Sequence, residues 1–347
     1  MSLIVTKGDL LRQNDVDAIV NTVNCVGIMG KGIALQFKKK WPENFERYRV
    51  ACDAREVRPG KMFVFDAGAY AQPHFIINFP TKDDWRGKSR IEFIEAGLQD
   101  LIGRVRQLGV RSIAVPPLGC GNGGLNWAEV RPLIERAFHE VPDVEVRLFE
   151  PDGAPNAKAM EVRTKRPRMT PGRAAILKVL DTYRALDYGL SRIEAQKLAY
   201  FLQAAGENLK LNFVQNQFGP YSDELRHALQ RMDGHFIRGM GDGVVEAEIE
   251  PTPDALAEAD AFVAETGHSA LSDRVQRVGK LIDGFQSPYG MELLATVHWV
   301  ATQDPAARSV EDAIRATHAW NPRKRLLMQP AHIAAAWSRL HEEAWIQ

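Results

Sequence analysis

Cysteine is scarce in this chain: 347 residues carry only Cys25, Cys52 and Cys120. Three thiols cannot all pair, and none sits at metal-ligand spacing. Neither a disulfide framework nor a zinc site organises the fold, and no metal and no cofactor is expected. Reduced thiols in a cytoplasmic protein are the reading that follows. Long apolar runs are missing as well. The longest are strand-length, such as Ile113-Ala114-Val115, too short to span a bilayer, so no membrane partner is expected. The opening MSLIVTKGD places its charge after the apolar residues, which is not the order of a signal peptide. Excess charge of one sign is also absent, since 44 basic side chains balance 44 acidic ones. That argues against a histone-like binder of polyanions.

The zero balance hides an asymmetry. Residues 1–155 are near neutral (21 basic, 20 acidic), 156–173 are basic (six against one), and 174–347 are acidic (17 against 23). Length alone calls for two domains, each large enough to bury its own core. In the first, Leu3–Val5, Ala18–Val20, Met62–Phe65, Phe75–Ile77, Ile113–Val115 and Val144–Leu148 read as strands. Most are continuously apolar, as for strands covered on both faces. Residues 31–55, 89–108 and 127–139 have helical periodicity between them. Strands interleaved with helices predict a layered α/β domain over residues 1–151. Pro151-Asp152-Gly153-Ala154-Pro155-Asn156 then breaks regular structure, and Arg163-Thr164-Lys165-Arg166-Pro167-Arg168 is basic and interrupted by proline. A linker is placed at 152–170. Its charge run reads as a solvated tether or, for a nucleic-acid substrate, as an arm that tracks phosphates. Residues 171–347 form a second, mainly α-helical domain, with helices at 174–186, 192–205, 222–232, 254–265, 270–281, 291–301, 310–320 and 330–344. One small β element is predicted near Val244–Ile249, where Val and Ile alternate with acids.

Two glycine-rich loops carry the chemistry. In Asn21-Thr22-Val23-Asn24-Cys25-Val26-Gly27-Ile28-Met29-Gly30-Lys31-Gly32-Ile33-Ala34 a strand ends, turns through glycines and enters a helix. Glycines let backbone amides approach an anion, and a helix N-terminus adds favourable partial charge. The loop fits neither the Walker nor the dinucleotide spacing. Pro116-Pro117-Leu118-Gly119-Cys120-Gly121-Asn122-Gly123-Gly124-Leu125-Asn126-Trp127 repeats the plan with more glycine than a turn needs. Two such loops at strand C-terminal ends are able to clamp one diphosphate from opposite sides. A third loop, Lys7-Gly8-Asp9, offers a carboxylate to an exocyclic amine such as that of adenine.

Gly8-Asp9, Asn21-x-x-Asn24, Gly30-Lys31-Gly32-Ile33-Ala34 and Pro117-Leu118-Gly119-Cys120-Gly121 together resemble a macrodomain over residues 1–150. The resemblance implies a three-layer α/β/α fold and ADP-ribose as ligand. It implies further that Asp9 reads adenine, that Gly30 to Ala34 and Gly119 to Gly123 (with Asn122) hold the diphosphate, and that Asn21 and Asn24 face the distal ribose.

Catalysis needs separate grounds, because many macrodomains only bind. Ile77-Asn78-Phe79-Pro80-Thr81-Lys82-Asp83-Asp84-Trp85 leaves a strand at the ligand edge and delivers Lys82 just beyond it, with Thr81 beside the ligand. This resembles the subclass of human terminal ADP-ribose glycohydrolase and of DarG, in which a lysine after this strand is catalytic. Lys82 is the expected essential residue. It would attack the anomeric carbon or engage the ring-opened aldehyde as an amine, or steer the sugar and phosphate as a cation while water attacks. One departure is plain: Gly123 stands where the human enzyme's loop has an aspartate, and no carboxylate lies between Asp100 and Glu129. Cys120 has no histidine neighbour in sequence and reads as a small packed thiol, and His74 as structural.

In the second half, Glu194-Ala195-Gln196-Lys197-Leu198-Ala199-Tyr200-Phe201-Leu202-Gln203 and Phe218-Gly219-Pro220-Tyr221-Ser222-Asp223-Glu224-Leu225 resemble the SocA-like, or Panacea, antitoxin module. Gln196, Lys197 and Tyr200 are expected on a helix, Gly219-Pro220 in a turn, and Ser222 as an N-cap. The acidic bias suits a basic partner. Together the halves resemble a DarG-type antitoxin. That implies hydrolysis of ADP-ribosyl-thymidine in single-stranded DNA, with free ADP-ribose as product, and a DarT-type transferase toxin bound by the C-terminal domain. The alternatives are a non-catalytic ADP-ribose reader or scaffold, and a hydrolase of protein-linked ADP-ribose or ADP-ribose 1″-phosphate.

Overall fold

The computed structural model describes residues 2–151, 155–183, 190–268 and 270–347. Residues 152–154 of the expected linker and 184–186 of the expected helix at 174–186 lie outside the described residues. The chain divides into two compact units, Met1–Lys165 with Asp242–Val245, and Arg166–Gly241 with Glu246–Gln347.

The first unit is built on β1 (Ser2–Thr6), β2 (Ala18–Val23), β3 (Phe63–Asp66), β4 (Phe75–Pro80), β5 (Ser112–Val115) and β6 (Glu145–Phe149). They lie in the order β1-β6-β5-β2-β4-β3. Every pair is parallel except β3 with β4. The helices are α1 (Gly32–Lys40), α2 (Pro42–Asp53), α3 (Ile91–Leu108) and α4 (Trp127–Phe138). Alternate strand residues feed opposite faces. Val20, Ile77, Ile113 and Val146 pack with Ile94, Leu98, Val130 and Ile134 of α3 and α4. Ile19, Ile76 and Ala114 pack with Phe37 of α1. A sheet covered on both faces explains why its strands read as continuous apolar runs, and the three-layer α/β/α expectation is met. The helical stretch at 31–55 is two helices. Pro42 opens the second, since proline disfavours α geometry in the residue before it and lacks an amide to donate.

The second unit is mainly helical: α5 (Pro171–Tyr183), α6 (Arg192–Ala204), α7 (Asp223–Met232), α8 (Pro253–Thr266), α9 (Ala270–Ile282), α10 (Pro288–Gln303), α11 (Val310–Trp320), α12 (Pro322–Leu327) and α13 (Pro330–Glu342). Residues Gly290 to His298 of α10 are buried all round, which marks it as the central helix. Two corrections follow. Val244–Ile249 forms no strand; the short ladder is β9 (Ile237–Arg238) with β10 (Glu250–Pro251). Alternation with acids there reflects Ala247 and Ile249 anchoring an irregular segment in the core. Gly219-Pro220 is not a free turn but opens β8 (Gly219–Tyr221), paired with β7 (Val214–Asn216). Among the described residues, no helix is long and apolar enough to cross a membrane.

The motif residues of this unit hold that hairpin to α6. Gln196 donates to the Ser222 carbonyl at 2.8 Å and accepts from the Ser222 amide at 2.9 Å. Ser222 caps α7 through the Leu225 amide. The Lys197 ammonium donates to the Pro220 carbonyl at 2.6 Å and is 1% exposed. Burial, with Lys324 nearby, pushes its pKa down to about 7. A lysine held near 7 when folded and near about 10.4 when unfolded takes up a proton on unfolding in between, so stability rises with pH over that window. Urea midpoints of the second unit are therefore expected to rise from pH 7 to pH 9. In Lys197→Met that rise is expected to shrink; an unchanged rise would show that Lys197 is not its source.

Candidate active site

Five parallel strands end at one edge of the sheet, so the loops after β1, β2, β4 and β5 leave side by side, where open α/β sheets receive ligands. At the β1 end, Gly8 adopts φ +111°. Asp9 caps a short 3₁₀ turn, Leu10–Arg12, by accepting from the Leu11 amide. A pocket of about 130 Å³ opens beside it, lined by Asp9, Leu11, Gln36, Lys40, Ala159 and Met160 among others.

The loop after β2 is shaped from within. Asn24 accepts from the Val26 and Ile28 amides at 3.0 and 3.3 Å, and the Tyr48 hydroxyl donates to the Asn24 carbonyl. Asn21 is fully buried beneath the loop and donates to Asn78 at 3.0 Å, which in turn donates to Asn44 at 2.8 Å. The Asn21 Oδ1 has no protein partner. Gly30 and Lys31 are exposed, and Gly32, Ile33 and Ala34 begin α1.

The loop after β4 ties the site together. Thr81 is buried and its amide donates to the Val23 carbonyl. The Cys25 amide donates to the Asp83 carbonyl at 3.0 Å, and its thiol to the Lys82 carbonyl. The Lys82 ammonium donates to the Asn122 carbonyl at 2.6 Å. Asn122 also abuts the first glycine loop: a Cβ at Gly32 would lie 2.7 Å from its Nδ2. Lys82 thus stands where the three loops converge. Partial burial holds its pKa below the ordinary lysine value; a desolvated amine gives up its proton more readily. Burial has the opposite effect on thiols, pushing Cys120 up to about 11 and Cys25 up to about 12. Burial thus disfavours the thiolate form that a cysteine nucleophile would need.

The second glycine loop is closed on itself. Leu118 and Gly119 are buried, the Cys120 amide donates to the Pro117 carbonyl, and the Leu125 amide to the Gly119 carbonyl. A Cβ at Gly123 would sit 2.2 Å from both the Gly119 carbonyl oxygen and the Ser89 hydroxyl. The position that carries an aspartate in the human enzyme therefore has no room for any side chain here. Ser89, whose amide donates to the Gly123 carbonyl and whose buried hydroxyl lacks a protein partner, supports this loop from below. Sequence reasoning passed over Ser89, Tyr48, Asn44 and Asn78. Only Asn78 left a readable trace, a polar residue inside the apolar strand Ile76-Ile77-Asn78-Phe79.

The macro domain family model matches residues 20–134. A Thermus aquaticus protein named DNA ADP-ribosyl glycohydrolase is 49% identical over 318 residues, covering 92% of this chain and 87% of its own. Its Mycobacterium tuberculosis namesake is 44% identical over 347 residues, covering 96% and 97%. A Thermosipho africanus DNA ADP-ribosyl transferase–DNA ADP-ribosyl glycohydrolase fusion protein is 31% identical over 166 residues, 43% of this chain and 42% of its own.

The glycines of the second loop are not equivalent. Gly123→Ala forces a backbone carbonyl and Ser89 apart and is expected to destabilise the first unit by about 1–3 kcal/mol. Gly121, with nothing within 4 Å of its added Cβ, is expected to tolerate alanine within about 0.5 kcal/mol. Urea midpoints of the two variants measure the difference; equal midpoints would contradict the packing described.

Proposed function

The chain belongs to the DarG-type family of DNA ADP-ribosyl glycohydrolases, and on that premise we propose that its first unit removes ADP-ribose from thymidine in single-stranded DNA. The second unit binds and neutralises the DarT-type transferase toxin that attaches the group. The Thermosipho relative's name joins a DNA ADP-ribosyl transferase to a DNA ADP-ribosyl glycohydrolase in one chain, which supports pairing this hydrolase with such a transferase.

One observation carries the catalytic reading: Lys82 projects its amine to the junction of both glycine loops with its basicity lowered by burial. In this reading adenine lies in the pocket beside Asp9, the diphosphate runs between the two loops, and the anomeric carbon of the distal ribose comes to Lys82. Hydrolysis breaks the carbon–nitrogen bond to the base, forms a carbon–oxygen bond from water, and returns a proton to the departing nitrogen. A thymine imide leaves as a fairly stable anion, so a strong acid in the loop is not required. Lys82 acts as an amine on the anomeric carbon: its lone pair displaces the base nitrogen, and water then displaces Lys82, releasing ADP-ribose. The lack of space for a carboxylate at Gly123 favours a second reading, a binding module without turnover.

Release of free ADP-ribose from ADP-ribosylated single-stranded DNA separates the two. Wild type is expected to release it, and Lys82→Ala to lose about 10²–10⁴-fold in rate while still binding ADP-ribose. No release by folded, ADP-ribose-binding wild type would establish the module without turnover. The pH profile decides the role of Lys82. A neutral amine with a lowered pKa makes kcat rise with pH, to a midpoint below the ordinary lysine value of about 10.4. A kcat that falls through the same range would assign Lys82 to electrostatic steering as a cation.

A further inference from the structure

The loop that carries Lys82 continues into a feature that hydrolysis of ADP-ribose alone does not use. Asp84 to Gly87 form a tight turn, with the Gly87 amide donating to the Asp84 carbonyl at 3.1 Å. The Asp84 carboxylate accepts from the Arg86 amide at 2.8 Å. Aspartate at the first turn position and glycine at the fourth are the residues that such a turn favours. Trp85 and Arg86 occupy its two central positions. Trp85 is 48% exposed, and the Arg86 guanidinium lies 4.6 Å over its ring. Trp85 belongs to none of the hydrophobic clusters of the first unit.

The turn is also held firmly. The Cys25 amide fixes the chain at Asp83, and the Gly123 carbonyl fixes it at Ser89, so both glycine loops hold its ends. Two residues separate Trp85 from Lys82, a reach of at most about 11 Å along the backbone. Arg86, Lys88 and Arg90 are all exposed on this segment. They make three cations against Asp83 and Asp84. On the neighbouring β2 loop, Val26 and Ile28 are exposed apolar side chains. An aromatic face flanked by guanidinium and ammonium groups is the chemistry that holds a single nucleic-acid strand, bases stacking on the ring while cations follow the phosphates.

We propose that the Asp84–Gly87 turn is a strand-binding subsite in which a base flanking the modified nucleotide stacks on Trp85 and the adjoining phosphates meet Arg86, Lys88 and Arg90. This rests on the DNA substrate proposed above. The subsite selects a modified strand over a modified nucleoside and positions the modified base against Lys82.

Two substrates separate the subsite from the chemistry: an ADP-ribosylated thymidine within a single-stranded oligonucleotide, and the ADP-ribosylated thymidine nucleoside. Trp85→Ala is expected to lower kcat/KM on the oligonucleotide about tenfold, chiefly through KM, and to leave the nucleoside rate unchanged. Trp85→Phe, which keeps a ring, is expected to recover most of the loss. Arg86→Gln with Lys88→Gln is expected to flatten the salt dependence of oligonucleotide KM by about 0.7 per phosphate contact removed. Equal losses on both substrates, or no loss on either, would overturn the subsite. Wild type inactive on both would instead overturn the glycohydrolase reading.

Discussion

The parallel pairing of β1, β6, β5, β2 and β4 is the constraint from which the rest of the first unit follows. Parallel strands require a crossover between each pair, so helices cover both faces and every strand becomes apolar on both sides. The same pairing sends four loops off one edge. Once there, they are joined by short polar contacts rather than by core packing. Lys82 reaches Asn122, Cys25 reaches Lys82 and Asp83, and Ser89 reaches Gly123. A site made this way depends on backbone carbonyls and amides, which explains why glycine dominates it and why side-chain acids are scarce.

That scarcity shapes the chemistry. Among the described residues the second glycine loop offers no carboxylate, and its closure around Gly123 excludes one on steric grounds. Burial lowers the pKa of Lys82, and the second glycine loop supplies no carboxylate at Gly123 to offset it. A lysine in that state suits attack on an electron-poor carbon better than it suits an ion pair. The proposed reaction has a leaving group able to bear negative charge, so the missing acid and the proposed substrate are consistent with each other.

Much of this was legible in the sequence because the relevant signals are local. Continuous apolar strands, glycine-rich exits and a lysine one residue past a strand-end Pro-Thr are all read within a few residues. The buried supports were not, because Tyr48, Asn44 and Ser89 act through contacts whose partners are distant in the chain. Val244–Ile249 failed for a related reason. Its alternation is real, but an irregular segment anchored by Ala247 and Ile249 has the same pattern as a strand. In the second unit Gln196 and Lys197 stood out correctly as unusual polar residues on a helix. Their partners, the Ser222 backbone and the Pro220 carbonyl, belong to a hairpin too short for periodicity to reveal.

The central claim is that the anomeric carbon of a DNA-linked ADP-ribose comes to rest at Lys82, between the two glycine loops. A crystal structure of Lys82→Ala bound to an ADP-ribosylated thymidine oligonucleotide tests it most directly. The expected result has adenine beside Asp9, the diphosphate between Gly30–Ala34 and Gly119–Gly123, and the sugar–base bond facing the vacated position of the Lys82 amine. A ligand bound with that bond turned away from residue 82, or held elsewhere on the chain, would contradict it.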